Sequence, residues 1–147
     1  MSNLEFVPLA DRPEFIIDVA TWYYNWHKDP DNSVEKTVER IKGKLNRTHP
    51  PMHVVAVEDG KAVGVAQLKL REMEQFPEKE FWIGGVFVPY SERGKGYAAQ
   101  ICEAAARKAA DIGIKDLWLQ TESLDGGLYA SVGWEPVEQV VDRGDDV

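Results

Sequence analysis

The sequence predicts an α/β (α+β) fold with a central mixed, mostly antiparallel sheet flanked by helices. Three observations support this. Apolar residues alternate between strand and helix spacing in the order β-α-α-β-β-β-α-β-α-β. The pair Asp59-Gly60 joins two apolar runs with the residues favoured in tight hairpins. The 147 residues suit one core, so the chain reads as a single domain, 1–147.

Leu4–Pro8 is short and apolar enough for a first strand. Asp11-Arg12-Pro13-Glu14 reads as a helix start, with Asp11 able to cap and Glu14 three residues on. The helix, over 13–26, carries Phe15, Ile16, Val19, Trp22, Tyr23 and Trp26 at helical spacing, a stripe expected to be core. Residues 29–33 break the chain. Val34, Val38, Ile41 and Leu45 then repeat as a second amphipathic helix.

Strands are expected over 53–58 and 62–70. A charged loop, 71–79, is broken by Pro77, and another strand follows over 81–88. Gly84-Gly85 interrupts that strand, which marks a bulge or a close approach by backbone or ligand. The helix over 96–112 has a face of small residues that can lie close to a sheet, and Gly113 can end it. Leu117, Trp118 and Leu119 read as a short buried strand, 128–132 as a helix and 137–141 as a last strand.

No apolar run approaches the roughly 20 residues that span a bilayer, and the first residues lack the pattern of a secretory signal, so a cytoplasmic location is expected. The formal charge of −8 disfavours nucleic acid and anionic membrane as partners. Cys102, the one cysteine, falls on an apolar helix face and reads as a packed thiol rather than a nucleophile.

Chemistry concentrates after the strand that ends in Val88, where Arg93-Gly94-Lys95-Gly96-Tyr97-Ala98 opens a helix. Amides at a helix start point outward and carry the positive end of the macrodipole, which suits a phosphate. Gly94 and Gly96 remove side chains that would block backbone approach, and Arg93 and Lys95 add positive charge. Neither a P-loop nor a dinucleotide-binding glycine pattern is present.

Arg93-x-x-Gly96-x-Ala98 in this context resembles the acetyl-CoA signature of the GNAT superfamily of N-acetyltransferases, written [QR]-x-x-G-x-[GA]. The tail Leu128-Tyr129-Ala130-Ser131-Val132-Gly133-Trp134 resembles the family's L-Y-x-x-x-G-[FW], and the element order matches along nearly the whole chain. The resemblance implies acetyl-CoA as acyl donor, its pyrophosphate on the backbone of Gly94, Lys95, Gly96, Tyr97 and Ala98, with Arg93 shaping the loop. It implies backbone contacts from Val86 and Val88 to the pantetheine arm, in the manner of an added strand. A strand amide near Val86 would polarise the thioester carbonyl.

By the same resemblance Tyr129 protonates the departing thiolate. In several family members a Glu on the strand before the loop takes the proton of the amine. Here that stretch offers Glu80, while Trp82 and Gly84 farther in cannot act as bases. Glu72 and Glu74 are further candidates. All three also read as solvated carboxylates, and His27 and His53 stand alike.

Two departures from the family pattern are visible. Residues 122–127 lack its Asn and Ala, and the chain stops at Val147 after a turn at 143–146, where the family has one more strand. A missing final strand would expose neighbouring strand edges.

The function implied is acetyl transfer to a primary amine of a small molecule by direct attack. The acceptor would lie near residues 22–32 and 71–80, in an aromatic and acidic pocket drawing on Trp22, Tyr23, Trp26, Trp82 and nearby Glu residues. Two alternatives stay open: a noncatalytic acyl-CoA-binding regulatory module, and transfer to an amine on a protein or peptide. Relatives often dimerise, so a homodimer is a further expectation.

Overall fold

The structure, a computed structural model, describes residues 4–121, 127–131, 133–142 and 145–147. Most of the 122–127 departure, the end of the 128–132 helix at Val132, and Arg143-Gly144 of the expected turn lie outside the described residues. Four strands form one antiparallel sheet in the order β1 (Leu4–Pro8), β2 (Met52–Glu58), β3 (Lys61–Leu70), β4 (Phe81–Phe87). Among the described residues, no helix is long and apolar enough to cross a membrane.

Residues 52–57 of β2 are all buried, because the sheet is covered on both faces. On one face α3 (Tyr97–Asp111) sets Ile101, Ala105 and Ala109 against Met52, Ala56, Val63, Leu68 and Ile83. Its approach is close: a β-carbon built on Gly64 would stand 2.3 Å from Ile101 Cδ1. On the other face α1 (Ile16–Trp26) and α2 (Val34–Lys42) bring Ile16, Val19 and Ile41 onto Val55, Val57 and Val65.

The hairpin turn forms as expected, with φ of 51° at Asp59 and 81° at Gly60. The start of α1 differs from the expected capping box. Short 3-10 turns at Leu9–Asp11 and Pro13–Phe15 precede it, and no side chain caps it. Asp11 is instead bonded to the Arg47 guanidinium and Glu14 to Arg12, at 3.3 Å. A charge-assisted partner competes well with a cap hydrogen bond for a carboxylate.

Strand β4 decides the site. Its pairing with β3 passes from Gly84↔Gln67 to Phe87↔Val65, so Gly85 and Val86 face the single residue Ala66 across a bulge. Gly85 has φ of 57°, and its carbonyl accepts a 2.6 Å hydrogen bond from the Tyr23 hydroxyl. The expected strand at Leu117, Trp118 and Leu119 contracts to one parallel bridge, Trp82↔Trp118, in which Ile83 N–H donates to the Trp118 carbonyl at 2.8 Å. Among the described residues no strand pairs with the outer edge of β4 beyond that bridge.

At the C-terminal end, α4 (Gly127–Ser131) is followed by a two-stranded hairpin, β5 (Val141–Asp142) and β6 (Asp145–Asp146). The strand expected over 137–141 thus shrinks and shifts. Val137 and Val141 are 69% and 61% exposed, so no packed partner holds an extended segment there.

Candidate functional site

The loop after β4 is tied down from within. Arg93 Nε donates to the Val88 carbonyl at 2.9 Å, and its guanidinium lies over the Phe87 and Tyr90 rings. Arg93 therefore shapes the turn with its side chain. Lys95 donates to the buried Glu92 at 3.0 Å, and Lys61 reaches the same carboxylate at 3.1 Å. The Lys95 hydrogen bond, then that of Lys61, holds the Glu92 carboxyl below its usual range, while Glu92 in turn raises Lys95.

Gly94 and Gly96 adopt φ of 83° and 77°, which L side chains avoid. A β-carbon built on either would meet nothing within 4 Å among the described residues, so the space above the loop is open to them. The first bond of α3 runs from Gln100 N–H to the Gly96 carbonyl at 3.3 Å. The amides of Tyr97, Ala98 and Ala99 therefore lie ahead of the helical ladder, and no side chain caps them. The Tyr97 side chain points inward, packed in the core with its hydroxyl donated to Glu58. That hydrogen bond pushes the phenol up to about 12. Free amides at a helix start with open space beside them suit a pyrophosphate such as that of acetyl-CoA.

Beside β4, a cavity of about 790 Å³ includes Trp82, Trp118, Leu119, Tyr129 and Trp134 in its wall. The Tyr129 ring meets Trp134 edge-on at 6.4 Å. Burial, with Cys102 and Glu72 adding to it, pushes the Tyr129 phenol up to about 12, so it carries its proton at neutral pH. Cys102 is buried, which raises its thiol to about 11 and leaves it unsuited as a nucleophile.

A second cavity, also about 790 Å³, opens between α1, α2 and the sheet. Its floor follows from strand register. The row Val55, Val65, Phe87 is core, and the next row on that face is His53, Gln67, Gly84. Polar side chains and a glycine thus replace apolar ones where the cavity separates the helices from the sheet. Lys69 follows on β3 and donates to Glu72 Oε1 at 2.8 Å, while Glu72 Oε2 is buried without a partner. His53 is 2% exposed, with Nδ1 likewise unpartnered. Burial lowers its pKa to about 4, with Lys44 and Lys69 adding to the effect, so the imidazole is neutral.

The structure gathers the residues read from sequence unevenly. Gly94, Lys95 and Gly96 form one loop that runs into Tyr97 and Ala98 at the start of α3, while Val86 lies in the β4 bulge and Val88 one residue beyond the strand's end. Tyr129 and Glu72 lie close enough to interact. Glu80 lines neither cavity and pairs with Arg71 at 3.2 Å at the exposed rim. The aromatic and acidic pocket is corrected: Tyr23 and Trp26 line it, but Trp22 stacks on Phe87 and Trp82 faces the other cavity. Its charge is mixed, with Arg40, Lys44 and Lys69 beside Asp29 and Glu72. Gln67 escaped notice, although a polar residue within an apolar strand was its signal.

Comparison with solved structures finds the same fold in several acetyltransferases. The aminoglycoside N-acetyltransferase AAC(6')-Iy in complex with CoA superposes with a TM-score of 0.77 at 18% identity, over 97% of this chain and 94% of that one. An aminoglycoside acetyltransferase from an uncultured soil metagenomic sample, in complex with sisomicin, gives 0.67 at 20% identity, over 96% and 93%. Glucosamine-6-phosphate N-acetyltransferase from Arabidopsis thaliana gives 0.65 at 14% identity, over 97% of each chain. A comparison with curated protein sequences finds no match. The model of the acetyltransferase (GNAT) family matches residues 15–133, which contain both the open amide loop and Tyr129, and the chain therefore belongs to that family.

Proposed function

We propose that this protein transfers the acetyl group of acetyl-CoA to a primary amine of a polar small molecule. The open loop at the start of α3 carries this reading, because β-carbons built on Gly94 and Gly96 meet nothing within 4 Å among the described residues. In this assignment Gly94, Lys95, Gly96, Tyr97 and Ala98 hold the pyrophosphate through their amides, and Arg93 fixes the loop through Val88. The edge of β4 at Val86, with the backbone of Val88 just beyond the strand's end, takes the pantetheine arm as an added strand. Bound acetyl-CoA supplies an activated thioester. Tyr129, which holds its proton at neutral pH, is the acid for the leaving sulfur.

The acceptor enters the cavity between α1, α2 and the sheet. Its mixture of Asp29, Arg40, Lys44, His53 and Gln67 suits a molecule with several hydrogen-bonding groups, such as an amino sugar. The aminoglycoside and glucosamine-6-phosphate acetyltransferases that share the fold support that class.

Thermal unfolding with and without acetyl-CoA tests the donor site. A ligand at about a hundred times its Kd stabilises the native state by about 2.7 kcal/mol, a shift of several degrees. Gly96→Asn tolerates positive φ but places a side chain over the loop. It should fold and lose the shift; an unchanged shift would remove the loop assignment.

A further inference from the structure

Strand β4 has no carboxylate beside the acceptor cavity: Gly85 lines it, and Gly84 stands next to it, opposite the cavity-lining Gln67. The space is not vacant of charge. A β-carbon built on Gly84 would lie 3.3 Å from Glu72 Oε1 and 3.2 Å from Lys69 Nζ. The loop after β3 therefore delivers a carboxylate to the place that a side chain on the strand would occupy.

Three features set Glu72 apart from the other carboxylates nearby. Its side chain is only 14% exposed, against 45% for Glu80. One oxygen is held by Lys69, which fixes the carboxylate, while Oε2 is buried with no hydrogen-bond partner among the described residues. A buried carboxylate oxygen without a donor is costly, so a small turn of the Glu72 carboxylate toward the cavity it lines, where a ligand's N–H supplies the missing bond, is favoured. Glu72 also lies within electrostatic reach of Tyr129. Consecutive residues divide the two cavities: Glu72 lines the one between the helices and the sheet, Met73 the one containing Tyr129.

We propose that Glu72 receives the ammonium of the acceptor and takes its proton, with Lys69 as the residue that positions it. The inference rests on the acetyl-transfer reading above. The ammonium passes one proton to Glu72 Oε2 and becomes an amine. Its lone pair forms the N–C bond to the acetyl carbon as the C–S bond breaks. The thiolate takes the Tyr129 proton, and the second proton shed by nitrogen restores the phenol. Glu72 returns its proton to solvent, so the sum is one amide, one thiol and one proton from ammonium and thioester.

The test uses the full chain and compares wild type with Glu72→Gln and with the double variant Glu72→Gln, Gly84→Glu. Acetyl-CoA stabilisation is measured first. Then kcat and KM are followed from about pH 6.5 to pH 10 with the best acceptor among glucosamine, spermidine and sisomicin. The groups facing Glu72 or sharing its cavity are Lys69 on β3, His53 on β2, Tyr23 on α1, His27 and Asp29 after it, Arg40 on α2, Lys44 after that helix and Tyr129 on α4. His53, with its pKa near 4, stays neutral throughout this range.

Glu72→Gln should keep the acetyl-CoA shift and lose kcat by on the order of 100-fold near neutral pH. The loss should shrink as pH approaches the pKa of the amine, which then arrives without its extra proton. A carboxylate restored on the strand itself by Gly84→Glu should recover roughly tenfold or more of the loss, a rescue that a purely structural Glu72 would not allow. Activity of Glu72→Gln within about threefold of wild type, or a loss equal at every pH, overturns the proposal. A wild type that acetyl-CoA does not stabilise overturns the donor reading beneath it, and one that is stabilised but acetylates none of the three amines overturns the acceptor assignment.

Discussion

Gly84 and Glu72 share one space: the carboxylate from the β3–β4 loop lies 3.3 Å from the point where a side chain on Gly84 would begin. The atoms it would meet, Lys69 Cε and Nζ and Glu72 Oε1, are the far ends of flexible side chains. Gly84→Ala should therefore fold with little change in melting temperature while pushing Glu72 aside. We expect kcat to fall several-fold with the acetyl-CoA shift intact; steady-state kinetics beside a melting curve would check it.

Gly85, one residue on, differs in kind. Its φ of 57° disfavours any side chain, and a β-carbon would come 2.7 Å from Gln67 Nε2 and 3.0 Å from the Tyr23 hydroxyl. Gly85→Ala should cost about 1–3 kcal/mol of stability, combining backbone strain with a displaced Tyr23. Urea unfolding reads this directly, and a variant as stable as wild type would contradict the bulge geometry.

The contact between α3 and β3 at Gly64 is tighter still. A β-carbon there meets Ile101 Cδ1 at 2.3 Å and the Phe87 carbonyl oxygen at 3.2 Å, and the second of these is backbone. Gly64→Ala should destabilise by about 1–3 kcal/mol through overpacking. Adding Ile101→Val to it should restore part of the loss, as measured by the unfolding midpoint.

His53 gives stability a pH dependence. Its folded pKa of about 4 lies below its usual 6.5, so the unfolded chain binds the proton more readily. Stability from this residue is therefore fully present above about pH 6.5 and lost as pH falls toward 4, by up to about 3 kcal/mol. His53→Gln should unfold with a shallower acid dependence across that window. Equal slopes in the two proteins would show that the imidazole is not held neutral.

Tyr129→Phe should leave acetyl-CoA binding unchanged and slow turnover. Because the phenol titrates near 12, wild-type activity should show no loss from its ionisation below about pH 10. Turnover unchanged in Tyr129→Phe across several acceptors would exclude the acid role.

Local chemistry was legible in the sequence wherever it depended on residues close together in the chain. The Asp59-Gly60 turn, the strand before the loop, Gly94 and Gly96 at the start of α3, and a bulge in β4, signalled by Gly84-Gly85 and found at Gly85 and Val86, could all be read from order and spacing. Each is set by backbone conformations that only certain residues adopt. What depended on separate segments meeting was not legible. Glu72 read as one of several loop carboxylates, because only the packing of β3 against β4 brings it over Gly84. Tyr23 read as core, because only the placement of α1 over the bulge gives its hydroxyl the Gly85 carbonyl, 62 residues away. The sequence by itself thus determined the open loop at the start of α3, a local arrangement of amides and glycines; the tertiary structure alone decided which carboxylate enters the cavity between the helices and the sheet, since side-chain proximity across strands follows from register and packing.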